Sequence, residues 1–336
     1  MMKGRYLFFL MLLIVLSIKN SEVVFGESLQ KFDAQIQMNK YQVNRKNSYF
    51  DLLLQPNQEE TLLIRLTNLQ DSSVKIKPSF HRARTNKLGV IEYSGRNQDI
   101  VQGLPTDIQK ILTIDTKELI LGPKQEIIFP LQLKMPGRSF SGVIAGGVYF
   151  EEVPQSETTG NVKNIFSREI AVLVRNKESL MEPEINIVKA EATQENYRNA
   201  VKVHLQNTHA VYLSNGQVNY KLYFEDESDP ILSSEKQISF APNSGMDYLI
   251  PLDGQTFKTG NYRLALTISK GDNQWDGESR FTVTTNAADD YNESDVTVPE
   301  AQHNNLSLIL IGVLIVLLIV IGILVWKLRR KNSLQK

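Results

Sequence analysis

The run Leu306–Trp326, LSLILIGVLIVLLIVIGILVW, constrains this 336-residue chain more than any other stretch. It contains no charge and one hydroxyl side chain, Ser307. At a rise of about 1.5 Å per residue a helix of this length matches a hydrocarbon core of about 30 Å and satisfies its own backbone in lipid. The segment behind it, KLRRKNSLQK, carries Lys327, Arg329, Arg330, Lys331 and Lys336 and no acid, the bias of a cytoplasmic flank. The sequence therefore predicts one C-terminal transmembrane helix over 306–326 and a basic cytoplasmic tail over 327–336. Everything before Leu306 is then expected outside the cell.

The N-terminus agrees with export. Lys3 and Arg5 precede the apolar run Tyr6–Ile18, and Val24-Phe25-Gly26 offers a small-residue cleavage site. This is the pattern of a signal peptide over 1–26, with a retained N-terminal anchor as the alternative. The expected location is the cell membrane, single-pass, with an N-terminal ectodomain that is extracellular and faces the cell wall.

The sequence has no cysteine. That excludes disulfides, a thiolate nucleophile and Cys-based zinc sites, and in an exported chain it leans toward a bacterial surface protein. The formal net charge of zero hides a division. Residues 27–180 carry 20 bases and 17 acids, 181–285 carry 9 and 14, and 286–305 carry 5 acids alone. An acidic ectodomain argues against nucleic acid as a partner.

Short alternating runs dominate from Leu29 onward. Leu62–Asn68 reads as a strand, Glu118–Leu121 and Glu126–Leu133 as a hairpin around Gly122-Pro123-Lys124-Gln125, and Val143–Phe150 and Arg168–Arg175 as further strands. Leu104–Ile111 reads as a short helix and Glu151–Asn164 as an exposed loop. After Lys177–Pro183, read as a joint, strands are expected at 185–190, 200–206, 217–225, 246–250, 262–269 and 280–284. Val218, Tyr220, Leu222 and Phe224 share one face, as do Tyr262, Leu264, Leu266 and Ile268; these stripes are core faces. The expected fold class is all-β, two tandem immunoglobulin-like β-sandwich domains plus one C-terminal transmembrane helix. The expected domains are 27–180 and 181–285, with an extended acidic stalk over 286–305.

Catalytic signals are weak. Ser233-x-x-Lys236, Tyr197-x-Asn199 and Lys258-Thr259-Gly260 echo the three elements of serine penicillin-binding enzymes. Their order is wrong, and Ser233 precedes the strand-like run QISF where a helix is required. His81, His204, His209 and His303 form no compact ligand set, and there is no Gly-rich phosphate loop. The acidic turn Glu225–Pro230 lacks the EF-hand spacing. No catalytic residue, metal site or cofactor is expected.

Two motif series carry a family resemblance. The first is Tyr49-Phe50-Asp51-Leu52, Pro56, Gln58, the strand ending at Asn68, Ala83-x-Thr85-Asn86-x-x-Gly89-x-Ile91-x-Tyr93, and Pro136-Gly137-x-x-Phe140-x-Gly142-Val143-Ile144-Ala145-Gly146-Gly147. The second is Phe240-Ala241-Pro242-Asn243-Ser244, Gly260-Asn261-Tyr262, Trp275 and Phe281-Thr282-Val283. Together they resemble the WxL-interacting proteins of low-GC Gram-positive bacteria, although Leu88 departs from the polar residue more usual there. The resemblance implies a non-catalytic surface protein with a peptidoglycan-binding N-terminal domain and a host-binding C-terminal domain. Its implied partners are peptidoglycan, WxL-domain surface proteins and host extracellular-matrix proteins, with the membrane held by the C-terminal helix. Beside that, Arg82, Arg84, Lys87, Lys75 and Lys77 form a basic patch around Thr85-Asn86. Arg84, Thr85, Asn86, Lys87 and Tyr93 are the candidate ligand-binding residues. A second reading of the same motif is loop geometry, with Asn86 and Gly89 supplying turn conformations. The run Gly142–Gly147 likewise fits either close approach of a ligand or tight packing on a neighbouring strand.

Overall fold

The computed structural model describes residues 30–96, 104–154, 164–177, 181–298 and 314–324. The expected signal peptide, basic tail, and parts of the joint, the stalk and the 151–164 loop lie outside them. The described chain is all-β apart from short helical pieces, and it divides into two compact units. One comprises the chain up to Ala190 together with Lys202–Leu249 and Arg263–Arg280; the other comprises Glu191–Val201, Ile250–Tyr262 and the chain from Phe281.

The N-terminal sandwich has a four-stranded sheet in the order β1-β3-β9-β7: β1 Phe32–Ile36, β3 Glu59–Asn68, β9 Glu126–Lys134 and β7 Leu112–Thr113. Facing it is a five-stranded sheet in the order β2-β11-β10-β4-β8: β2 Phe50–Leu53, β11 Ser167–Arg175, β10 Ile144–Glu152, β4 Val74–Arg82 and β8 Leu119–Leu121. Alternation drives the fold. Leu62, Ile64 and Leu66 of β3 and Phe129, Leu131 and Leu133 of β9 turn inward from one sheet, and Phe50, Ile76, Val148, Phe150 and Val172 meet them from the other. Leu104–Ile111 yields one 3-10 turn, Ile108–Lys110, capped by the Asp107 carboxylate accepting from Gln109 N.

The expected hairpin at Gly122–Gln125 is not one. β8 pairs with β4 and β9 pairs with β3 and β7, so the turn carries the chain from one sheet to the other. Asn68, at the end of β3 and 1% exposed, holds this corner. Its amide donates to the carbonyls of Ser72, Leu121 and Gly122 at 2.8, 3.1 and 2.6 Å, and its Oδ1 accepts from Gln70 N. Turn formation and sheet-to-sheet crossing are thus one interaction, which strand propensity does not encode.

Further strands are β12 Ile185–Gln194, β13 Asn199–Asn207 and β16 Ser244–Pro251 in one sheet, and β14 Leu213–Phe224, β15 Leu232–Phe240, β17 Gly260–Lys270 and β18 Asn273–Val283 in the other. Val218, Tyr220 and Leu222 are buried, as are Tyr262, Leu264, Leu266 and Ile268. Asn207, at the end of β13 and wholly buried, repeats the role of Asn68: its amide donates to Val211 O and Ala241 O, and its Oδ1 accepts from Glu184 N and His209 N.

Two expectations are corrected. No helix among the described residues is long and apolar enough to cross a membrane. Within the predicted span only 314–324 are described, and they are helical. Among the described residues the fold is therefore all-β, with no helix that crosses a membrane. The second correction concerns the acidic segment expected to be extended. Its first part forms helix α1, Thr285–Ser294, with Thr284 as N-cap. Its anchors are polar and aromatic rather than aliphatic, which is why hydropathy missed it. Asn292 exchanges hydrogen bonds with the backbone of Phe257, Gln194 donates to Tyr291 O, and the Tyr291 ring packs on Phe257.

Replacing Asn68 or Asn207 by alanine leaves several buried carbonyls without a donor. Each change should lower unfolding stability by about 2–4 kcal/mol, read from urea midpoints. Exposed asparagines such as Asn44 should tolerate the same substitution.

Candidate binding site on the N-terminal sandwich

After β4 the chain makes a small hairpin, β5 Arg84–Thr85 against β6 Ile91–Glu92. Asn86 builds its loop. Its Oδ1 accepts from Leu88 N and Val90 N, its backbone N donates to Val90 O, and its O accepts from Gly89 N. Gly89 adopts φ +73°, where a side chain is strained. A Cβ there would also collide with Ile238 Cγ2. The loop-geometry reading of the motif thus has direct support.

The hairpin does not project into solvent. Ser239 N donates to Gly89 O at 2.7 Å, Leu249 N to Lys87 O at 3.1 Å, and Ala241 N to Thr85 Oγ1 at 2.9 Å. Thr85 and Arg84 are buried; Asn86 is half-buried and the Lys87 side chain exposed. Tyr93 lies against Gly147 of β10, where an added Cβ would stand 2.5 Å from its ring. Burial pushes its hydroxyl up to about 12, with the Tyr212 hydroxyl as neighbour and Glu169 adding to the rise. Ala83, Val143, Ala145, Leu173 and Ala241 form a small second core here, with Tyr49, Tyr93 and Tyr212 packed against it. Close packing thus occupies Gly146 and Gly147, the second by the Tyr93 ring and the first by His81 O, Ile108 and Phe80.

The expected basic patch is dispersed. Arg82 is buried and pairs with Asp107 at 2.5 Å. Lys75 pairs with Glu118 at 2.6 Å. Lys77 instead borders an open cleft of about 670 Å³ that Pro78, Ser79, Phe80, Gln109, Leu112, Thr113, Ile114, Thr116, Lys117 and Glu118 complete. The structure therefore keeps Arg84, Thr85, Asn86 and Lys87 on one hairpin and sets Tyr93 just past it, but separates them from Lys75 and Lys77. Sequence reasoning missed the cleft. Its signal was Pro78 inside a strand, which marks an edge without a full ladder. Ser233 and Lys236 lie on strand β15, so the helix that penicillin-type chemistry requires is absent there.

The described chain is thus strand-built, its concave features are open and its motif residues organise a hairpin. Residues 32–152 match the model of the WxL Interacting Protein, peptidoglycan binding domain, and residues 157–293 match that of the WxL Interacting Protein, host binding domain. The chain belongs to the WxL-interacting protein family. No curated protein matches it. Among solved structures it is similar to the Pseudomonas aeruginosa CupB2 chaperone (10% identity, 68% of this chain and 95% of that one, TM-score 0.28) and the E. coli chaperone DraB (12%, 75% and 97%, 0.28). The class 5 fimbriae chaperone CfaA gives 13% identity, 74% and 99% coverage and a TM-score of 0.29. Likeness at this level carries no argument about this chain.

Two outcomes follow. Gly89→Ala combines a left-handed backbone with a clash on Ile238 and should cost about 2–4 kcal/mol, measured by chemical unfolding. Burial raises the pKa of Asp107, but the Arg82 guanidinium and Gln109 N–H outweigh it and hold the carboxyl below its ordinary value. A depressed carboxylate stabilises the fold fully above its unfolded pKa, about 3.9, and the contribution disappears as pH falls through the lower folded value. Asp107→Asn should therefore destabilise at neutral pH by about 2–3 kcal/mol and flatten the acid limb of the stability profile.

Proposed function

We propose that the protein is a non-catalytic scaffold of the bacterial cell surface. It holds peptidoglycan through the N-terminal domain, 27–180, and a WxL-domain protein or a host extracellular-matrix protein through 181–285. The observation that carries this reading is the match of 32–152 to the peptidoglycan binding domain. The signal-peptide pattern of residues 1–26 supports placement on the wall side of the membrane. Of the five candidate ligand residues, Lys87 is the one whose side chain is exposed, so any glycan contact at the hairpin falls on it and on the half-buried Asn86. Binding two partners on one chain raises the effective concentration of each for the other, so moderate single affinities suffice.

The second reading, a scaffold that binds only proteins, draws on the open edges of the sheets, where strand addition is available. The test uses the intact chain, because Thr85 and Gly89 bond to residues beyond 200 and a fragment ending near 180 would lose them. The chain should sediment with purified insoluble peptidoglycan after teichoic acids are stripped, and should then retain a WxL-domain protein. Absence from the pellet at low and physiological salt would decide for the protein-only reading.

A further inference from the structure

We propose that the cleft beside β4 is the place where the N-terminal domain takes the acidic stem peptide of peptidoglycan. This rests on the proposed wall-binding function and names the ligand part and the contact residues within it.

The cleft is built by two sheet edges. β8 pairs with β4 at Val74, Lys75 and Ile76 and stops there. Ala83 N donates to Ala145 O and Val153 N to Lys75 O, so odd-numbered residues along β4 exchange hydrogen bonds with β10. In an antiparallel ladder the even-numbered residues then direct their backbone groups to the other side. Pro78 and Phe80 therefore present theirs toward the cleft, and among the described residues no strand pairs with them there. The opposite wall comes from β7, an outer strand of the other sheet, and from the segment leading to β8.

The chemistry of the walls selects the occupant. Lys77 and Lys117 are exposed, line the cleft and have no carboxylate partner among the described residues. The one lining acid, Glu118, is neutralised by Lys75 at 2.6 Å. The cleft thus offers two cations to an incoming carboxylate. Its edge is also discontinuous, since Pro78 has no N–H and the Phe80 carbonyl already accepts from Gln109 Nε2 at 3.5 Å. A long protein strand needs an unbroken ladder to bind by strand addition. A stem peptide alternates L and D residues, so it cannot form a regular strand. It can use two or three separate backbone contacts and place free carboxylates near the lysines. Leu112, Ile114 and Thr113 supply a wall against which its alanine methyl groups can pack.

The experiment compares the intact wild-type chain with Lys77→Glu/Lys117→Glu and with Lys46→Glu/Lys270→Glu, a control of equal charge change at exposed sites elsewhere. Sedimentation is measured on sacculi and on glycan strands from which stem peptides have been removed enzymatically. A soluble stem peptide with a free C-terminal carboxylate serves as competitor. The proposal expects wild type and control to pellet with sacculi, the cleft variant to lose about tenfold in apparent affinity, and the peptide to compete. All three proteins should melt alike, because the four substituted side chains are exposed. Equal binding of the cleft variant, or full wild-type binding to peptide-free glycan, would overturn the cleft assignment and leave wall binding standing. Failure of wild type to pellet with intact sacculi would remove the wall-binding reading and the assignment with it.

Discussion

Two buried asparagines hold this architecture together. A β-sandwich must pass its chain from one sheet to the other, and each crossing exposes backbone carbonyls where no ladder exists to satisfy them. Asn68 meets that need at the end of β3 with three donations to carbonyls around the β8 corner, and Asn207 does the same at the end of β13. Both follow a strand whose alternate residues are buried, so the amide arrives at the edge of the core with no water to compete for it. A buried amide with its donors and acceptor used is a strong constraint, because any other register strands it unsatisfied. The positions of β8, β9 and the Ala241 turn descend from it.

The β5–β6 hairpin is the second constraint, and it changes what the family motif means in this chain. Thr85 and Asn86 look like ligand residues in a sequence, since small polar groups beside arginine are common in binding loops. Here Thr85 Oγ1 accepts from Ala241 N and the Asn86 carboxamide is spent on its own turn. Gly89 and Gly147 then follow from space alone: one admits Ile238, the other the Tyr93 ring. A motif so spaced can persist for packing, with function carried by neighbours that the motif orients.

What was legible in the sequence follows the range of the forces involved. Alternation is a local signal, and it located β3, β14 and β17 through stripes such as Leu62, Ile64 and Leu66, or Tyr262, Leu264 and Leu266. Pairing is not local. Nothing in residues 118–134 states that β8 and β9 belong to different sheets, because the deciding group, Asn68, lies some fifty positions earlier. Helix α1 escaped for a related reason: its stability comes from Asn292, Gln194 and Phe257 rather than from an apolar stripe. At the site, Asn86 and Gly89 were readable as turn residues, whereas the burial of Arg82 depended on Asp107, a partner outside the motif.

The shape of the cleft also bears on how such a protein could hold a wall. Exposed lysine–carboxylate contacts contribute at most about 1 kcal/mol each, and salt weakens them further. Two of them with a few backbone hydrogen bonds give a weak single site. Weakness is tolerable when the ligand is a polymer that repeats the same peptide at short intervals, because release from one stem leaves others within reach. An enclosed pocket would bind one stem tightly, but it could not admit a peptide that remains attached at one end to a glycan strand and, where cross-linked, at the other. An open trough between two sheet edges accepts such a ligand from the side, and that is the form this cleft takes.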